Sequence, residues 1–240
     1  MFMGGIQMYK DFKISAPFFE VGPKAYLYGE GMLKLAKVID KTAMKYDVDV
    51  IVTPQYTDIK LLADNIERIL VFAQHMDSLE IGRGLGSVLP EAVKAAGAVG
   101  VMLNHAEKPL TLEEIEKTIK RADEVGLGTI VCADTVEDVK KIAMMGPNLI
   151  VAEPTELIGT GKTSDTSYVT DTIKMVNEIN PDIMVLQGAG ISNGTDVYNM
   201  IKCGAQATGS TSGIIKAADP YAMVEEMLFN LRKAWDELHK

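Results

Sequence analysis

The stretch VAEPTELIGTGK, residues 151–162, opens as an apolar run of strand type and closes as a glycine-rich loop. Glu153 stands at the changeover. Pro154 follows, which has no N–H to continue a hydrogen-bonded ladder, and then Gly159-Thr160-Gly161. A carboxylate at the tip of an apolar strand, with a loop behind it, is the layout of a parallel strand ending at a functional rim. Outward from this stretch the same layout recurs. Strand-type runs rich in β-branched residues stand at PFFEVG (17–22), VDVIVTP (48–54), ILVFAQ (69–74), VGVMLN (99–104), GTIVCA (128–133), NLIVAE (148–153), IMVLQG (183–188) and QATGS (206–210). Several are apolar throughout, which suits strands buried on both faces.

Amphipathic stretches separate these runs. EGMLKLAKVIDKTAMKY (30–46) repeats its apolar residues at intervals of three and four, and LTLEEIEKTIKRADEVG (110–126) opens with Thr111 as a candidate N-cap and closes on Gly126. SNGTDVYNMIKCG (192–204) and the segment from Asp219 to Lys240 repeat the design. Alternating strands and helices predict a parallel sheet. Eight such units in one chain of this length predict an α/β fold, the closed (β/α)8 barrel. An open doubly wound sheet is the alternative, but its glycine-rich first turn is missing, since that place reads EVGPKAY (20–26). No low-complexity linker divides the chain, so residues 1–240 read as one barrel domain with residues 1–15 as an N-terminal extension.

Hydrophobic residues make up 47% of the 240, enough for a large core. A net charge of −9 repels nucleic-acid backbones and anionic membranes, so neither is expected as a partner. No run has the length of an apolar membrane span, and MFMGGIQMYKDFKI (1–14) lacks an apolar signal core, which predicts a cytoplasmic protein. Cys132 and Cys203 show no disulfide or metal spacing, and Cys132, inside TIVCAD (129–134), reads as a small core residue. No cluster of His, Asp and Glu has metal spacing either, so neither a metal nor an organic cofactor is expected.

In such a barrel chemistry gathers at the C-terminal ends of the strands. There the sequence places Lys24 after the first strand, His105 and Glu107 after the fourth, and Glu153 after the sixth. Segments suited to phosphate follow at IGTG (158–161), QGAGIS (187–192) and STSG (210–213). A carboxylate can take a carbon-bound proton, an imidazole can polarise a carbonyl, and an ammonium can offset developing negative charge. Glycines let N–H groups approach phosphate oxygens, and a helix N-terminus adds its dipole. Each residue also has a plainer reading, as a structural histidine, a solvated lysine or a turn glycine. Convergence on neighbouring strand ends favours the functional one.

Taken together, PTELIGTGK (154–162), AQHMD (73–77), VLPEAVKAAGAVGVMLNHAE (88–107), QGAGIS and TSGIIKAADP (211–220) resemble segments of the triosephosphate isomerase family, particularly its short archaeal-type branch. The resemblance implies an aldose–ketose isomerase of a small phosphorylated sugar, working by enediol proton transfer. It makes Glu153 the base, His105 the electrophile, Lys24 the electrostatic stabiliser and Glu107 the acidic group behind the histidine. Pro154 would begin a mobile lid that closes over the substrate and excludes water. Phosphate would be held around Gly159, Thr160, Gly161, Gly188, Gly190, Ser192, Ser212 and Gly213. His75 would belong to the supporting shell or the subunit interface, and a homodimer or homotetramer would form through the third loop.

Three positions depart from the family pattern. Gly22-Pro23-Lys24 stands where the family has Asn-x-Lys, Leu85 where a threonine crosses the dimer interface, and Ala106 where a serine follows the histidine. Loss of the asparagine is expected to open room beside the substrate, which would admit a four- or five-carbon phosphate. A phosphosugar-binding or regulatory protein without turnover is the alternative. A lyase or aldolase would want a Schiff-base lysine inside a strand or a metal site, and the sequence offers neither.

Overall fold

The computed structural model of the protein describes residues 8–158, 160 and 165–240. Eight parallel strands pair in sequence order, and the last returns to the first, closing the predicted barrel. They are β1 Phe18–Val21, β2 Asp49–Val52, β3 Leu70–Ala73, β4 Gly100–Leu103, β5 Gly128–Ala133, β6 Leu149–Ala152, β7 Met184–Gln187 and β8 Ala207–Ser210. Each lies inside one of the apolar runs of the sequence. Around them run α1 Gly29–Tyr46, α2 Ile59–Ala63, α3 Pro90–Ala95, α4 Leu112–Val125, α5 Val136–Ala143, α6 Thr166–Ile179, α7 Gly194–Lys202, α8 Ser212–Ile215 and α9 Pro220–Leu238. Among the described residues no helix is long and apolar enough to cross a membrane.

Local chemistry sets the helix ends. Thr111 and Glu114 form a reciprocal capping box at the start of α4, and Gly126 ends it in the left-handed region at φ 76°. Asn193 caps α7 through its side chain. Asp219 caps α9 with Pro220 in the first turn, where a missing N–H does no harm.

The apolar residues divide between two layers. One packs the outer faces of the strands against the helices, with Phe19, Leu35, Ile39, Val101 and Leu231 fully or almost fully buried. The other fills the barrel itself with Phe18, Ile51, Phe72, Met102, Ile130, Cys132, Leu149, Val151, Leu186 and Ala207. Cys132 therefore sits in the interior, and burial pushes its thiol well above the ordinary range, so it stays protonated.

The segment expected as an extension is built into the barrel as far as it is described. Phe12 meets Phe72 edge-on with ring centroids 5.6 Å apart, and Ile14 packs against the same interior cluster. Tyr9 N–H donates to Asp123 Oδ1 (3.2 Å), Asn148 Nδ2 to Tyr9 O (2.8 Å) and Ser15 N–H to Asp49 Oδ2 (2.8 Å). Residues 8–15 thus stop the N-terminal end of the barrel. Gly128 permits the close approach, because a Cβ there would lie 2.7 Å from the Phe12 ring. Phe12→Ala is expected to lower unfolding stability by about 2–3 kcal/mol, and Gly128→Ala by about 1–3 kcal/mol. Urea denaturation followed by circular dichroism reads both.

Candidate active site

The opposite end of the barrel holds a pocket of about 450 Å³, in the size range of small-molecule sites. Lys24, His105, Glu107 and Glu153, read from three strand ends of the sequence, all line it.

Lys24 follows β1 with a φ of 48°, a strained value for a side chain of its size. Two glutamines hold it there. Gln55 Nε2 donates to Lys24 O at 2.7 Å and Gln74 Nε2 to the same oxygen at 2.9 Å. Gln74 Nε2 also reaches Thr53 O at 2.9 Å, tying the first three strand ends together. The Lys24 ammonium donates to Glu107 Oε1 at 2.8 Å. That hydrogen bond is the main reason the Glu107 carboxyl lies below its ordinary range. Glu107 is largely exposed, so the pair adds about 0–1 kcal/mol to stability; its effect is to fix where the ammonium stands.

His105 follows Asn104, another residue of positive φ (57°), whose side chain donates to Cys132 O and accepts from Leu110 N–H, each at 2.9 Å. Glu107 N–H donates to His105 Nδ1 at 3.1 Å. The imidazole nitrogen that accepts a proton bond cannot carry one, so the ring proton lies on Nε2. Burial and then Lys24 hold the imidazole below its ordinary pKa, against Glu107, and the ring is neutral at neutral pH.

Glu153 ends β6. Its N–H donates to Ala133 O and its Oε1 accepts from Ala189 N–H, both at 2.9 Å. Burial raises its pKa, opposed by the Ala189 bond and by Lys24, while Glu107 adds to the rise. Gly188, expected on the phosphate side, lines the pocket and lies against this side chain, since a Cβ at 188 would come within 3.0 Å of Glu153 Cβ and Cδ.

Of the other residues expected on the phosphate side, Gly190 and Ser212 line the pocket. Their N–H groups and that of Gly213 take no partner among the described residues. Gly213 itself packs tightly, as a Cβ there would lie 2.6 Å from Ser210 Oγ and 2.7 Å from Ile191 O. Ser192 is used within its own loop: its N–H donates to Asp196 Oδ2 (2.9 Å) and its hydroxyl to Gly190 O (3.2 Å). Thr160 is exposed and its hydroxyl donates to Leu157 O at 2.8 Å. Gly159 and Gly161 lie outside the described residues. Among the described residues no three His, Cys, Asp or Glu side chains converge as metal ligands.

The sequence reading missed Gln55, Gln74, Thr211, Lys216 and Glu20. Gly22 lines the pocket, and a Cβ added there would lie 3.0 Å from Glu20 Oε1 and 3.1 Å from Thr211 Oγ1. A signal for Glu20 existed, as the one charged residue in PFFEVG, two positions before Gly22 and therefore on the same strand face. His75 is buried beside the pocket with Nε2 3.3 Å from Asp77 Oδ1, and Leu85 stands fully exposed on its loop.

A (β/α)8 barrel that gathers a buried carboxylate, a neutral imidazole and an ammonium beside uncommitted N–H groups belongs to the barrel enzymes built for proton transfer on small anions. The family model described as triosephosphate isomerase matches residues 23–227. The triosephosphate isomerase of Methanobacterium bryantii is 43% identical over 202 residues, covering 82% of this chain and 89% of that one. That of Methanosarcina barkeri is 39% identical over 217 residues, covering 88% and 97%. The crystal structure of triosephosphate isomerase from Bartonella henselae superposes with a TM-score of 0.73 at 13% identity, over 92% of this chain and 99% of that one, which bears on the fold. The chain belongs to the triosephosphate isomerase family of intramolecular oxidoreductases, the aldose–ketose isomerases. An NMR titration is expected to find the His105 ring neutral at neutral pH, protonated on Nε2, with its midpoint below the ordinary histidine value.

Proposed function

We propose that this pocket interconverts dihydroxyacetone phosphate and glyceraldehyde 3-phosphate through an enediolate. Glu153 removes a proton from the carbon beside the carbonyl, and the electron pair left behind forms the carbon–carbon double bond. The carbonyl oxygen takes up the charge, facing His105 Nε2–H and the Lys24 ammonium. Protonated Glu153 then delivers its proton to the neighbouring carbon, and the hydroxyl proton moves between the two oxygens by way of the imidazole. The phosphate rests at the N–H groups of Gly190, Ser212 and Gly213.

One observation carries the reading: the raised carboxyl of Glu153 and the neutral, Nδ1-tied ring of His105 line one pocket. A protein that only binds a phosphosugar needs no such base. The same reading carries a cytoplasmic location, where phosphorylated sugars are retained.

The purified chain is expected to interconvert the two triose phosphates and to exchange their carbon-bound hydrogen with solvent. Glu153→Gln should lower kcat by about 10²–10⁴-fold while keeping phosphate-ligand affinity. Binding without exchange in the wild type would favour the regulatory alternative. The base must be ionised to act and its pKa is raised. The acid limb of the rate profile is therefore expected above the ordinary glutamate value, with activity present at higher pH and lost as pH falls through that midpoint.

The loop around residues 79–87 exposes Ile81 and Leu85, and it supports association of copies as a homodimer or homotetramer. Sedimentation equilibrium is expected to give a mass that is a multiple of 26.1 kDa, and Leu85→Glu to lower it.

A further inference from the structure

One carboxyl group inside the barrel has no part in the chemistry above. Glu20 is the third residue of β1, and strand alternation turns it to the barrel axis between Phe18 and Gly22. It lines the same pocket as Glu153 and His105. Around it the pocket is floored by apolar groups, Met102, Val151 and Leu186. Two glycines bracket the carboxyl: a Cβ at Gly22 would lie 3.0 Å from Oε1, and one at Gly209 would lie 3.0 Å from Oε2. Thr53 Oγ1 donates to Oε1 at 3.0 Å. Oε2 receives no hydrogen bond among the described residues and opens into the pocket. An apolar side chain would fill the same space without the penalty of burying a carboxyl, so packing alone does not account for a glutamate here.

We propose that Glu20 is a specificity-determining residue whose Oε2 hydrogen-bonds an oxygen on the carbon chain of the sugar phosphate, supplying from below the polar contact that residue 22, a glycine, cannot make. This rests on the isomerase reading of the pocket. The uncommitted N–H groups of Gly190, after β7, and of Ser212 and Gly213, at the start of α8, lie beyond the strand ends, whereas Glu20 lies within β1. A ligand with its phosphate on the rim therefore reaches down to Glu20 with its carbonyl and hydroxyl oxygens.

Protonation makes this contact favourable. Burial raises the Glu20 pKa to about 8, with Glu153 adding to the rise and Thr53 and Lys24 opposing it. Below that value the group is neutral, and with Oε1 already accepting from Thr53 the proton is available on Oε2 to donate. The groups that face it are Glu153 from β6, the protonated Cys132 from β5, Thr53 after β2 and Lys24 after β1. Above about pH 8 an ionised Glu20 would repel both the enediolate and Glu153. The contribution is thus present at lower pH and lost as pH rises through the folded value.

The test is a kcat/KM profile for triose phosphates from about pH 6 to pH 10 on wild type, Glu20→Gln and Glu20→Leu, with inorganic phosphate as inhibitor. Glu20→Gln, which can still donate, is expected within about threefold of wild type near neutrality, and its alkaline limb should move to higher pH. Glu20→Leu is expected to fall at least about tenfold near neutrality while inhibition by inorganic phosphate stays within about twofold. An alkaline limb identical in wild type and Glu20→Gln overturns the proposal, whether or not Glu20→Leu folds. A wild type that turns over no triose phosphate overturns the isomerase reading and this inference with it. An active wild type with unaltered variants overturns only the inference.

Discussion

The contact on which the rest depends is the return of β8 to β1. With Phe18 paired to Ala207 and Val21 to Ser210, the sheet has no edge, and its eight C-terminal ends are held in one ring. Residues far apart in the chain become neighbours through that ring. Lys24 faces Glu107 across 83 positions, and the Thr211 hydroxyl stands 3.1 Å from where a Cβ at Gly22 would lie. An open sheet of the same strands would lay these loops along a line, and no single cavity could hold them.

Within the ring, surroundings rather than residue type decide what each ionisable group does. Glu107 and Glu153 carry the same side chain, yet the ammonium beside one lowers its pKa while burial of the other raises it. His105 is pushed toward neutrality by burial and by the nearby lysine, and its orientation is fixed by a backbone N–H. The backbone is bent to serve these positions. Lys24, Asn104 and Ala189 all have positive φ, and all three stand at the pocket or next to a residue that lines it. Side-chain amides brace two of them, and the third gives its N–H to Glu153.

Much of this was legible in the sequence because strands buried on both faces leave apolar runs, and polar residues at their ends stand out. Glu153 and His105 were visible for that reason. Gln55 and Gln74 were not, since their work is done on the carbonyl of a distant residue and no local pattern records it. Glu20 was passed over inside an apolar run, although it shares a strand face with Gly22 and its carboxyl lies 3.0 Å from where a Cβ at 22 would stand. Gly188 was seen as one more loop glycine, although its reason is the bulk of Glu153 on the adjoining strand. The stretch before β1 looked like a tail because its partners, Asp123 and Asn148, come more than a hundred residues later.

That stretch, with Phe12 against Phe72, packs beneath an interior already filled by side chains such as Phe18, Ile51 and Leu149, so the pocket is a blind well. Whatever enters must leave by the same opening, so the two interconverted compounds compete for one doorway and neither can be drained away behind the other. Each bound compound therefore excludes the other from the pocket.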